Sequence, residues 1–111
     1  MVQKQYKISY LPIFYDDLLE AVNYIMSKLK NEQAAEELLN LTEMAIKERL
    51  GSPESFEKFQ SMKKRKYSYY RIYVKNFIVF YVVIPDESDS NIATMEVRRF
   101  LYNRRDLEKV L

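Results

Sequence analysis

Large apolar and polar side chains alternate from Tyr6 to Leu11, the two-residue period of a half-buried strand. Pro12 ends that run, and Asp16 and Asp17 fall in the expected first turn of a helix, where carboxylates suit the exposed N–H groups. Phe14, Leu18, Ala21, Val22, Ile25 and Leu29 then recur at three- and four-residue steps, which predicts one apolar stripe along a helix of about four turns. Lys28-Leu29-Lys30-Asn31 closes this helix and Asn31 caps a second, in which Ala34, Ala35, Leu38, Leu41, Ala45 and Ile46 repeat the spacing. Gly51, the only glycine, stands where a helix end takes a left-handed residue, and Pro53 prevents the helix from resuming. Two amphipathic helices, over 14–30 and 31–50, thus form an antiparallel hairpin.

Residues 52–66 show no period and read as a loop ending in Lys63-Lys64-Arg65-Lys66. Composition then changes to β-branched and aromatic residues. Tyr67 to Lys75 and Phe77 to Ile84 read as strands joined by a two-residue turn at Lys75-Asn76. Residues 85–90 form a polar loop, Asn91 to Arg99 a further strand, and Leu101 to Leu111 a terminal helical turn or two. The predicted fold is α+β in the order β-α-α-β-β-β. A helix hairpin packs on one face of a mainly antiparallel four-stranded sheet, with a short C-terminal helical tail, in one domain over 1–111.

The turn fixes which side chains share a face. Val74 opposite Phe77, Ile72 opposite Val79 and Tyr70 opposite Tyr81 make an apolar face for the helices. The other face holds Tyr69, Arg71 and Tyr73, with Ile78, Phe80 and Val82 opposite them. An apolar patch with no layer left to cover it marks a partner site; the alternative is that Leu107, Val110 and Leu111 fold back over it.

Among 111 residues there is neither cysteine nor histidine. Disulfide scaffolds, thiolate zinc sites and cysteine nucleophiles are excluded, and so are the commonest metal ligand and general base. With one glycine there is no phosphate-binding glycine loop, and Asp16, Asp17 and Glu20 suit the helix dipole better than a metal; no cofactor is expected. No apolar run approaches the ~20 residues of a membrane span and no signal-peptide pattern opens the chain, so a cytoplasmic protein away from membranes is expected. Charge is divided: residues 1–57 carry 6 basic and 10 acidic side chains, residues 58–111 carry 12 and 6. The C-terminal half therefore offers a basic face, in which Lys63–Lys66 is either a solvated loop or a landing site for RNA or an acidic partner.

These features resemble the RelE/ParE superfamily, the toxins of type II toxin–antitoxin operons. The resemblance covers nearly the whole chain. It rests on the helix hairpin (Asp17-Leu18, Tyr24-Ile25, Ala34-Ala35), the strand pair from Tyr70 to Tyr81, and the closing run from Val97 to Asp106. It implies growth arrest, either by ribosome-dependent mRNA cleavage without a metal or by poisoning DNA gyrase. It also implies neutralisation by an acidic cognate antitoxin whose C-terminal segment covers the sheet. An inactive protein-interaction module of the same fold is the alternative.

By the same resemblance, Arg71 falls where RelE-like nucleases keep the first lysine of a basic pair, and Tyr73 where they keep the second. Ile78 replaces an arginine on the next strand, Tyr102 stands where many members have histidine, and Arg104 or Arg105 matches a C-terminal arginine. Metal-free RNA cleavage needs an activated 2′-OH, a protonated leaving oxygen and cations fixed around one phosphate. Arg71, Tyr102, Arg104 and Arg105 are the candidate catalytic residues, the arginines for the phosphate and Tyr102 (or Tyr73) for a proton or a stacking surface. Tyr69, Tyr73, Ile78, Phe80, Arg98 and Lys75 are the candidate antitoxin- or target-binding residues. The structural alternatives are an Arg71–Glu96 pair, a packing role for Tyr102, and pairing of Arg104 and Arg105 with Asp106 or Glu108.

Overall fold

The structure is a computed structural model that describes residues 3–60, 63–105 and 107–111. The elements follow the expected order: β1 (Gln5–Tyr10), α1 (Pro12–Ser27), α2 (Glu32–Arg49), β2 (Tyr70–Val74), β3 (Phe77–Pro85), β4 (Ile92–Tyr102) and a last turn, α3 (Leu107–Val110). The sheet order is β1-β4-β3-β2. It is mixed: β2/β3 and β3/β4 are antiparallel as expected, whereas β1 lies parallel to β4, because the helix hairpin carries the chain across the sheet from β1 at one edge to β2 at the other.

α1 begins earlier than the apolar spacing suggests. Pro12 occupies its first turn, where the missing N–H costs nothing, so Asp17 lies in the second turn and no acidic residue sits in the first. Lys30, with φ of 49°, supplies the left-handed residue that ends α1, and the Asn31 N–H reaches back to the Ile25 carbonyl at 3.2 Å. The Asn31 side chain accepts the Ala34 N–H at 3.0 Å, the expected cap of α2. Gly51 corrects the reading made of it, since its φ is not positive. α2 instead closes through bonds from the Leu50 N–H to the Ile46 carbonyl (3.1 Å) and from the Gly51 N–H to the Glu48 carbonyl (3.4 Å).

The hairpin register is the expected one, with Val74 opposite Phe77, Ile72 opposite Val79 and Tyr70 opposite Tyr81. The main core lies on that face, where Phe14, Leu38 and Ile46 from the helices meet Ile72, Val79, Tyr81, Val97 and Phe100. β4 runs three residues past its expected end at Arg99. Val97 pairs with Tyr81 and Arg99 with Phe80, so Arg98 is an extra residue, a bulge that lets the strand continue with its apolar side chains back in phase.

The second face is not open. Tyr69, Ile78, Phe80 and Val82 form a second core with Leu107, packed over by Phe59, Tyr67, Leu101 and Leu111. The covering alternative therefore holds, with two refinements. The loop before β2 contributes as much as the tail does, and Val110 turns away to line a cleft at the end of the sheet. The cause is the apolar area itself: each aromatic or branched aliphatic side chain taken from water contributes ~1.5–3 kcal/mol, and two segments of this chain lie within reach.

Because Gly51 has an ordinary φ and an added Cβ would stand 3.6 Å from the Glu48 carbonyl oxygen, Gly51→Ala should keep or raise stability, by up to about 1 kcal/mol in urea unfolding. A loss larger than that would show that the position needs glycine after all.

Candidate functional site

At the end of the sheet where β3 starts and β4 stops, the β2–β3 turn, the β4 exit and the facing ends of α1 and α2 enclose an open cleft of about 910 Å³. Its floor is a run of rings: Phe77 stacks on Phe100 at 4.8 Å, and Tyr102 meets Phe77 edge-on at 5.6 Å. Tyr24, Leu29 and Tyr102 expose more than half of their surface along it. The turn residue Lys75 takes φ of 54°, and the Asn103 N–H donates to the Asn76 carbonyl at 2.8 Å, fastening the β4 exit to the turn. Lys75 pairs with Glu37 of α2 at 3.1 Å, both side chains half-exposed, while Arg104 lines the wall. Arg105 is exposed beyond it, and its expected pairing with Asp106 or Glu108 lies outside the described residues and side chains.

An ion pair closes the back of the cleft. β1 accompanies β4 only as far as Val97, so the N–H of Phe100 meets a free sheet edge. Asp17 of α1 fills that edge: its carboxylate accepts the Phe100 N–H at 3.0 Å and takes Arg99 on both oxygens, at 2.7 and 3.1 Å. Arg99 also donates to the Val110 carbonyl at 3.4 Å, which ties α3 to the same point. Hydrogen bonding to Asp17 pushes the Arg99 guanidinium above its ordinary range, so it is a fixed cation. Sequence reading missed this pair. Its signal is the break in alternation, in which Met95 and Val97 are followed by Phe100 instead of an apolar residue at 99.

Arg71 stands on the other face. Its guanidinium lies 5.2 Å from the Phe59 ring and 5.9 Å from that of Tyr73, and Tyr73 beside it is 58% exposed. The expected Arg71–Glu96 pair is absent because β3 separates their strands; Glu96 holds Arg98 instead, at 2.8 Å. Burial pulls Arg98 down, but hydrogen bonds to Glu96 and Tyr69 leave it above the ordinary arginine value. The outer edge of β2 is anchored by Arg49, which donates to the Arg71 carbonyl at 3.0 Å and to the Tyr81 hydroxyl at 2.9 Å while stacking on Phe56 at 3.4 Å. The Tyr81 hydroxyl in turn donates to the Pro53 carbonyl at 2.6 Å.

The fold therefore divides the sequence candidates. Lys75, Tyr102 and Arg104 share the cleft, with Tyr102 also packing as its alternative reading had it. Arg71, Tyr73 and Arg98 belong to the opposite face, and Tyr69, Ile78 and Phe80 are buried there, which corrects their reading as an exposed binding patch. Among the described residues no cluster of acidic side chains suits a metal ion, and no helix is long and apolar enough to cross a membrane. Burial raises the phenols of Tyr10, Tyr70 and Tyr81, and burial with a hydrogen bond to Glu54 pushes Tyr6 up to about 12. None of these four is poised as a base at neutral pH.

Those raised values favour the neutral phenol in the folded state, so their contribution is complete below pH ~10 and is lost as pH climbs through the folded values. Tyr6→Phe should flatten the loss of stability between pH 10 and about 12. An unchanged alkaline limb would show that Tyr6 titrates freely.

Asp17→Ala leaves the Arg99 guanidinium and the Phe100 N–H without their acceptor and should cost about 2 kcal/mol, less than a fully buried pair would because both side chains keep some water contact. Lys47→Ala, which breaks the exposed Lys47–Glu43 pair on α2, is the control and should change nothing measurable. Equal effects of the two would make the Asp17–Arg99 pair incidental. No protein-family model and no curated protein matches the chain.

Proposed function

We propose that the chain is the toxin of a type II toxin–antitoxin module, of RelE/ParE type, and that it arrests growth by gripping its target and not by cutting RNA. The resemblance of the hairpin, strand pair and closing run supports the class, and the β-α-α-β-β-β order agrees with it. One observation carries the mode of action. Ile78, which by the resemblance replaces a nuclease arginine, is only 2% exposed within the second core, so that position presents no cation to RNA. The remaining candidates do not converge either, with Arg71 on one face and Tyr102 and Arg104 in the cleft on the other. Cleavage requires its acid, base and cations around one phosphate.

A binding toxin needs only an exposed surface. The cleft supplies exposed Tyr24, Leu29 and Tyr102 beside Lys75 and Arg104. By the resemblance, the target is DNA gyrase. Since the second sheet face is closed, the antitoxin docks at this cleft, its apolar side chains on the rings, while the charges of the lining (Lys75, Arg99 and Arg104 against Asp17, Glu20 and Glu37) fix its orientation.

Induced expression in a bacterium without antitoxin should stop growth. The purified protein should trap gyrase–DNA cleavage complexes while leaving mRNA intact in a translation extract. Tyr102→Phe combined with Arg104→Gln, which keeps the ring against Phe77, should weaken growth arrest while the protein stays folded by circular dichroism. mRNA cut at the ribosomal A site would overturn the binding mode. Unimpaired growth at full expression would overturn the toxin reading in favour of an inactive module.

A further inference from the structure

We infer that two copies of this chain pair through β1, edge to edge and antiparallel, joining two four-stranded sheets into one. β1 borders β4 alone, so its other edge faces outward. The Gln5 N–H bonds to the Asn91 carbonyl at 2.7 Å and the Leu11 N–H to the Val97 carbonyl at 2.9 Å. A parallel ladder uses alternate residues, so Lys7 and Ser9 bond inward as well, and the N–H and C=O groups of Tyr6, Ile8 and Tyr10 point outward. Unpaired groups of this kind are a template for another strand. Nothing in β1 blunts it: its six residues pair with β4 in unbroken register and include no proline and one charge, Lys7. The opposite edge of the sheet is covered by its own chain. Lys58 bridges Tyr70, the Phe59 N–H takes the Tyr69 carbonyl at 2.7 Å, and Arg49 takes the Arg71 carbonyl at 3.0 Å.

Symmetry and side chains identify the occupant as a second copy. A two-fold axis at Ile8 sets Ile8 opposite Ile8 of the partner subunit and Tyr6 opposite Tyr10 of the partner subunit. All three outward residues of each strand then bond, giving roughly six main-chain hydrogen bonds. Ile8 and Tyr10 pair with Met95 and Val97 of β4, so their side chains lie on the helix side of the sheet. There Ile8 is 37% exposed, and Tyr15, 49% exposed, meets the Tyr10 ring at 5.5 Å. Pairing brings these apolar groups of the two copies together. On the other side Lys7 falls opposite Ser9 of the partner subunit, so no like charges are directly opposed, and each Lys7 acts on Asp86 of its own chain. The free groups, apolar side chains and charge of this strand thus match the strand itself, which favours a second copy over a foreign peptide. β1 lines no part of the cleft, so the inference does not depend on the toxin reading.

Sedimentation of the intact protein should show a monomer–dimer equilibrium that moves to dimer as concentration rises through the micromolar range. The Ile8 amide should exchange at least about tenfold more slowly in the dimer. Ile8→Pro removes an N–H that the β4 ladder does not use, at an edge where proline is tolerated. That variant should keep its circular dichroism spectrum while the dimer dissociation constant rises at least about tenfold. Ile8→Lys, which opposes two cations at the axis, should weaken the dimer similarly and decides the matter if the proline variant does not fold. A parent that stays monomeric at millimolar concentration would overturn the inference and leave the edge to a strand of another protein. So would a folded Ile8→Pro or Ile8→Lys that dimerises as the parent does, or Ile8 amide exchange that is the same in monomer and dimer.

Discussion

Strand β3 is apolar on both sides, and that demands two covering layers. Phe77, Val79, Tyr81 and Val83 face one way, and Ile78, Phe80, Val82 and Ile84 the other. From Ile78 to Val82 no residue is more than 2% exposed. The helix hairpin satisfies one side. Only the single turn of α3 is left for the other, so it is closed by Leu107 of that turn and Leu111 after it, together with Phe59 and Tyr67 from the segment between α2 and β2. This is why Pro53 and Phe59, in a stretch with no repeating period, are nevertheless held in place: the Phe59 N–H bonds to the Tyr69 carbonyl at 2.7 Å, and the Pro53 carbonyl accepts from Tyr81.

Polar groups decide how these layers register. The extra residue at Arg98 shifts β4 by one position and puts Arg99 at the edge that β1 leaves free. Asp17 then completes three tasks with one carboxylate: it fills the edge N–H of Phe100, balances Arg99, and through Arg99 fixes the α3 backbone. At the opposite edge, Arg49 joins the end of α2 to β2 and to the hydroxyl of the buried Tyr81. One edge N–H of β4 and one edge carbonyl of β2 are thus each satisfied by a side chain from a helix.

Much of this was legible in the sequence. Element order, the Asn31 cap and the Lys75-Asn76 register follow from local spacing and turn chemistry, which act over a few residues. What local patterns leave open is long-range. The run from Phe77 to Ile84 is apolar on both faces, which left a partner or a folded-back Leu107 as the second cover, but nothing within a few residues of it points to Phe59 and Tyr67. Asp17 looked like a dipole partner because its ligand is 82 residues away. Gly51 looked obligatory, yet Lys30 and Lys75 take the left-handed conformations. Arg71, Tyr102 and Arg104 are grouped by the family resemblance, and the fold sets Arg71 on the second face and the other two in the cleft, because a resemblance in sequence order does not fix which face each element presents.

Closure of the second face is the central claim, since it buries Tyr69, Ile78 and Phe80 and leaves the cleft at the end of the sheet as the proposed binding surface. The most direct measurement is methyl–aromatic NOE spectroscopy on the intact protein with a soluble relaxation agent. The account predicts cross-peaks between the Leu107 methyls and the Ile78, Phe80 or Tyr69 side chains, with Leu107 and Ile78 shielded from the agent. Absent cross-peaks, with both residues relaxed as strongly as the exposed Met44 methyl, would contradict it.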